Sequence, residues 1–291
     1  SREKVDYVSA LGYSLGYLGG GSLFAVNVLM YLHPDWFGIP DSSTAIRISF
    51  LTVAIWWAVF TLPIIIFLPE PKSSNSVPLS KAVFSGISQL RETYDNIREM
   101  KIIGTFLLAF WLYEDGVATI VRMAGKIASS LGFAAGDIIT AILMVQFIGF
   151  PAALLYNWFA KKIGIKNAVL VAIAGYGIIT LLGYMMTDIT HFYILAAMIG
   201  IFQGGIQSLS RSLFTRLVPK GKEAEFFGFY NMLGKFAAVI GPILVGWITV
   251  MTGNPRTGIL SIVVLFILGG LLLIKVDFEA GEKIAADFGK K

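Results

Sequence analysis

Residues 257–274 read TGILSIVVLFILGGLLLI, eighteen consecutive positions without an Asp, Glu, Lys or Arg, bracketed by Arg256 and Lys275. Wound as an α-helix at about 1.5 Å per residue, the run reaches about 27 Å, close to the ~30 Å of bilayer hydrocarbon. In hydrocarbon, a helix satisfies its own backbone polar groups. Seven more apolar runs lie upstream, at about 8–32, 48–68, 102–121, 138–160, 168–187, 192–210 and 226–251. Of the 291 residues, 56% are hydrophobic and only 14% charged, with a mean hydropathy of +0.75. A water-soluble globule carries about 25% charged residues to solvate its surface. The expected fold class is an all-α polytopic membrane protein with eight spans. Short connections, such as 188–191 and 252–256, make sequence neighbours antiparallel.

Cysteine is absent, which removes disulfides, thiolate nucleophiles, iron–sulfur clusters and Cys-based zinc sites. The two histidines, His33 and His191, are too few and too far apart for a metal site, so no metal or cofactor is expected. The net charge of +5 invites a nucleic-acid reading, but its distribution follows membrane topology. With Ser1 in the cytoplasm, eighteen Lys and Arg residues fall on the cytoplasmic side. Four, Arg47, Arg122, Lys126 and Arg256, fall opposite, and Lys235 lies within a span. Both termini are expected in the cytoplasm, with the lipid bilayer, not nucleic acid, as partner.

One connection is long. Residues 69–78, PEPKSSNSVP, form a polar, turn-rich stretch. Beyond it Leu79, Val83, Ile87, Leu90, Tyr94 and Ile97 recur every three or four residues, opposite Lys81, Arg91, Glu92, Asp95 and Arg98. This is the pattern of an amphipathic helix lying on the membrane surface or on the ends of the bundle. The expected organisation is 1–69 with two spans, 70–101 as a cytoplasmic loop, and 102–291 with six spans and a short tail. Two spans plus six is unusual and Ser1 is not an initiator Met, so further helices of the same protein are expected ahead of residue 1.

An ionisable side chain near the bilayer centre costs about 2.5–3.5 kcal/mol on insertion scales. Glu114, Asp115 and Lys235 are the candidates. Adjacent residues on a helix point about 100° apart, so Glu114 and Asp115 face different surroundings. Asp115 shares a face with Thr119 and Arg122 and looks towards a polar cavity or partner; Glu114 has an apolar collar of Phe110, Trp111, Val117 and Ala118. A carboxyl group that exchanges protons in such a place suits proton coupling, and an ion pair holding two helices suits it equally. Lys235 is the expected partner for either carboxyl, with snorkelling to the surface as the other reading. Gln203, Gln207, Ser210 and Arg211 share one side of the sixth span, fit either to bind a polar solute or to join helices. Gln146 and Asn231 are ambiguous in the same way. Gly12, Gly16 and Gly20 make a flat face on the first span, and Gly241-Pro242 permits a bend in the seventh.

Certain stretches carry a family resemblance: Leu112-Tyr113-Glu114-Asp115-Gly116-Val117, Val145-Gln146-Phe147, the 204–214 run GGIQSLSRSLF, the 219–230 run PKGKEAEFFGFY with Gly234-Lys235-Phe236, and Leu15-Gly16-Tyr17-Leu18-Gly19-Gly20-Gly21. Together they resemble the vacuole-effluxer-like branch of the major facilitator superfamily, related to autophagy-linked amino-acid effluxers of fungal vacuoles. The resemblance covers nearly the whole chain. It implies helices five to twelve of a twelve-helix fold, with helices seven and ten lining a central cavity. It further implies proton-coupled, alternating-access efflux of a small solute such as amino acids, in the inner membrane of a bacterium or the vacuolar membrane of a fungus. Solute contact is then expected from Asp115, Gln146, Gln203, Gln207 and Asn231. Proton coupling or charge balance falls to Glu114, Asp115 and Lys235, and a cytoplasmic gate to Arg211 and Arg216.

Two departures stand out. The family often has Asn where this chain has Glu114, and Lys161 replaces the acidic residue of the superfamily's gate motif at 157–164. Export of drugs or sugars on the same fold, and a non-transporting receptor or scaffold, are the rival functions. No catalytic constellation supports an intramembrane enzyme.

Overall fold

The computed structural model describes residues 2–69 and 79–288. These residues form twelve α-helices and one 3-10 turn, with no strand among them. The helices are α1 (Arg2–Leu32), α2 (Ser42–Phe67), α3 (Leu79–Glu99), α4 (Lys101–Ser130), α5 (Ala135–Ile163) and α6 (Ile165–Tyr184). They continue with α7 (Ile189–Leu217), α8 (Glu223–Phe236), α9 (Ile240–Thr252), α10 (Pro255–Leu260), α11 (Val263–Lys275) and α12 (Phe278–Asp287). Among the described residues, eight spans are long and apolar enough to cross a membrane: α1, α2, α4, α5, α6, α7, the broken pair α8–α9 and the pair α10–α11. The protein is an all-α, multi-pass membrane protein.

Several helices outrun their apolar stretches because polar caps satisfy their ends. The Asp188 carboxylate accepts from the Thr190 and His191 amides at 2.9 and 3.1 Å, starting α7 three residues before the apolar run. Those bonds hold the Asp188 carboxyl below its ordinary value of 3.8. Beyond the last span, where a short tail is expected, Asp277 caps α12 through the Ala280 amide. Phe278 then meets Phe106 edge-on, with ring centroids 5.7 Å apart.

The chain parts into two compact units, Leu18–Gly86 and the remainder. The smaller unit has a minor core of Met30, Ile39 and Ala45. Asp41 caps α2 through the Thr44 amide at 2.8 Å, and Thr52 donates to Asn27 at 2.9 Å. On α2, Phe50, Trp57 and Phe67 are over 70% exposed, a surface suited to hydrocarbon and not to water. The loop 70–78 and the side chains of Leu79, Lys81, Val83 and Ile87 lie outside the described residues.

The larger unit is built around α4, whose Ile103, Phe106, Ala109, Phe110, Tyr113 and Val117 are buried on successive turns. Phe106 stacks on Phe214, and Tyr230 stacks on both Phe110 and Phe214, joining α4, α7 and α8. Helices α5 and α7 pack backbone to backbone. Gly204 meets Ala153 so closely that a Cβ there would stand 2.8 Å from the alanine methyl. Residues 87–99 of α3 belong to this unit. Thr93 and Ile97 are buried, Leu90 and Tyr94 are exposed, and Gln89 donates to Glu225 at 2.9 Å.

Candidate functional site

Three turns of α1 set one edge of the site. Asp6, Ser9, Tyr13 and Tyr17 recur at intervals of three and four, which places them on one helical face. Ser9 donates to the Ser208 carbonyl at 2.9 Å, and the Tyr17 hydroxyl to Gln207 Oε1 at 3.0 Å. On the adjoining face Ser14 donates to the Phe150 carbonyl at 2.7 Å. These bonds tie the first half of α1 to α5 and α7. Between the three helices lies a polar groove of about 670 Å³, lined by Gly12, Tyr13, Gly16, Tyr17, Gln146, Gln203, Gln207 and Arg211 among others. A Cβ on Gly12 or Gly16 would touch nothing within 4 Å, so the glycine face of the first span opens onto the groove. Arg211 is exposed at its edge, beside the Tyr13 hydroxyl.

Three expected solute contacts, Gln146, Gln203 and Gln207, therefore share one cavity. Ser210, on the same stretch of α7, turns inward instead and bonds the Tyr113 hydroxyl at 2.7 Å. Glu114 sits behind Gln207, which presents its side-chain amide to the carboxyl. Glu114 is also within electrostatic reach of the Tyr13, Tyr17, Tyr113 and Tyr176 hydroxyls. Its collar is thus more polar than its own helix suggests, because Tyr13, Tyr17 and Tyr176 come from other elements. Glu114 Oε2 and Gln203 Oε1 are buried without hydrogen-bond partners among the described residues. A buried polar atom left unpaired costs about 1–3 kcal/mol, so both are poised to take a partner.

Asp115 does not face the groove. It is 1% exposed, and its carboxylate accepts from the backbone amides of Ala238, Ile240 and Gly241 at 2.9–3.0 Å. Thr119 adds a fourth bond at 3.3 Å. The polar partner expected for Asp115 is thus a broken helix. Pro242 has no N–H and its ring crowds the carbonyl of Ala238, so a regular helix cannot run through this point. The break falls just before the anticipated bend, with Ala238 at φ 90°. The Asp115 carboxylate caps the positive end of α9 from across the bundle. Gly241 makes this approach possible, since a Cβ there would overlap the Thr119 side chain and the Asp115 carboxylate.

With its charge met by backbone donors, Asp115 needs no cation. Lys235 is exposed at the end of α8 and makes no ion pair among the described residues. Asn231 is exposed and lies outside the groove lining. Arg216 does find a carboxylate: its guanidinium bonds both Asp6 oxygens, at 2.9 and 3.2 Å, and Ser212 bonds the same carboxylate. Asp6 is 6% exposed, yet it lies so near the start of the chain that it reads in sequence as a flanking charge. Asp6 and Tyr13 are not among the expected site residues; their common face with Ser9 and Tyr17 is the signal that finds them.

The description "Vacuole effluxer Atg22 like" belongs to a family that matches residues 1–286. An uncharacterized MFS-type transporter, YxiO of Bacillus subtilis, is 34% identical over 284 residues, covering 97% of this chain and 66% of the relative. Autophagy-related protein 22 of Yarrowia lipolytica is 27% identical over 311 residues, covering 96% of this chain and 51% of the relative. The chain thus spans about half to two thirds of the curated relatives it matches. On the strength of the match across nearly its full length, the chain belongs to the Atg22-like vacuole effluxer family.

Proposed function

We propose that the protein is a secondary active transporter moving a small solute by alternating access, with export of amino acids driven by protons as its activity. The observation that carries this reading is the groove: a polar cavity in a multi-pass bundle, walled in part by Gln203, whose buried Oε1 lacks a partner among the described residues. Gln146, Gln203 and Gln207 hold the solute, whose ammonium or hydroxyl donors would complete Gln203 Oε1. Arg211, at the groove edge, receives a carboxylate. Glu114 is the proton-coupling group, because it is a buried carboxyl that meets the groove lining through Gln207.

In this reading both ends of the chain are cytoplasmic, and residues 1–69 belong to a helical bundle separate from the six spans of 102–291. The Asp6–Arg216–Ser212 cluster then lies at the cytoplasmic end of the groove, where it holds α1 against α7 and opens during the cycle. Lys235 and Asn231 have no assigned contact.

Counterflow of radiolabelled amino acids into proteoliposomes containing the full-length protein tests the proposal. Saturable exchange is expected for at least one amino acid, and Gln207→Leu should lower it about tenfold or more. Exchange of none of them contradicts the substrate assignment.

A further inference from the structure

A second cavity, of about 400 Å³, lies inside the larger unit between α4, α5, α6, α7 and α10. Its walls are almost wholly apolar, with Ile127, Ala141, Ile179, Ala196, Ile199 and Ile262 among them. It shares only Gln146 and Gln203 with the polar groove, so these two glutamines form the partition between the cavities. Buried water needs two to four polar partners, and apolar walls of this kind offer few. Hydrocarbon is the better occupant.

One charge borders this chamber. Arg122 lines it, is exposed, and makes no ion pair among the described residues. Lys126 follows one turn later on α4 and is also exposed and without an ion pair among those residues. At the far end stands Gln203, eleven residues along α7 from the lining residue Phe192, or about 16 Å at the rise of an α-helix. An apolar channel of that length with a guanidinium at its mouth has the form of a receptor for an acyl chain with an anionic head. Long chains fill hydrocarbon-lined space, and Arg recognises carboxylate and phosphate through its planar fork of donors.

We propose that this chamber binds an anionic amphiphile, its chain between α4 and α7 and its carboxylate or phosphate on Arg122. The site is separate from the solute groove and does not depend on what the groove carries. The same chemistry has two sources, a free fatty acid and an anionic phospholipid.

Equilibrium dialysis of radiolabelled laurate against the full-length protein in a non-ionic detergent tests the assignment, with dodecanol as the neutral comparison. Saturable binding near one laurate per chain is expected, about tenfold tighter than dodecanol. Arg122→Gln, a change at an exposed position, should abolish that preference, and Ala196→Phe should fill the chamber and weaken both ligands. Competition by phosphatidylglycerol but not phosphatidylcholine identifies the phospholipid as the source; no competition by either identifies the free acid. Laurate uptake that never saturates, or a preference over dodecanol that survives Arg122→Gln, overturns the proposal.

Discussion

Glu114 and Asp115 are adjacent on one helix, and their surroundings differ in kind. Around Asp115 every strong group is matched: three backbone amides, the Thr119 hydroxyl and one carboxylate close on each other without a gap. Around Glu114 the account is left open, with Glu114 Oε2 and Gln203 Oε1 both enclosed and unpartnered among the described residues. Matched polar groups rigidify, because any motion exposes them at full desolvation cost. Unmatched ones hold the free energy that a ligand can collect on arrival. The bundle therefore keeps its scaffold and its site on two different faces of α4, one residue and about 100° apart.

The largest effect should come from emptying the scaffold side. Asp115→Ala leaves three backbone amides unbonded, that of Gly241 buried, and should destabilise the bundle by about 3 kcal/mol or more, read as loss of the folded peak in size-exclusion chromatography. Asp115→Asn retains one carbonyl oxygen and should fall between that variant and the wild type. If Asp115→Ala folded normally, the contrast between the two carboxyls would collapse.

Next in size is a steric intrusion at the same place. Gly241→Ala puts a methyl against Thr119 and Asp115 and should destabilise by about 1–3 kcal/mol in thermal unfolding. Adding Thr119→Ala removes the hydroxyl and should return part of the loss. No rescue would mean that the contact at 241 is not what limits this position.

Ala238→Gly works in the opposite direction. A non-glycine residue at φ 90° is strained, so glycine there should stabilise by roughly 1 kcal/mol, visible as a higher midpoint. The smallest effect belongs to the loops. The Asp188 carboxyl sits below its ordinary value, so its capping contribution to α7 is fully present above about pH 4 and fades as pH falls through the lowered value. Asp188→Asn should flatten a slight acid dependence of the midpoint there without altering transport.

Much of this was legible in the sequence. All eight spans follow from long apolar runs, six of them free of charge and two carrying the exceptions Glu114, Asp115 and Lys235. Gln203 and Gln207 could be placed on one face from their spacing of four, and Gln146 joins them. What spacing does not carry is the third dimension. Asp115 and Gly241 are 126 positions apart, and nothing near Asp115 announces that its partner is a backbone. Lys235 looked like its counter-ion because both were charges at similar depth, whereas the proline-induced break supplied donors without any cation. Asp6 and Arg216 are a further 210-residue pairing, hidden because a carboxylate near the first residues reads as solvated. Sequence periodicity sorts faces of single helices; it does not say which faces meet.

The most direct test of the account sets Glu114→Gln beside the wild type in proteoliposomes, measuring amino-acid exchange and gradient-driven transport from about pH 5 to 8. Glu114→Gln should unfold within about 1 kcal/mol of the wild type, since an amide fits beside Gln207. It should still exchange solute, but with its pH dependence and its response to a proton gradient gone. A Glu114→Gln protein that keeps pH-dependent, gradient-driven transport, or that unfolds as Asp115→Ala does, contradicts the division of roles between the two carboxyls.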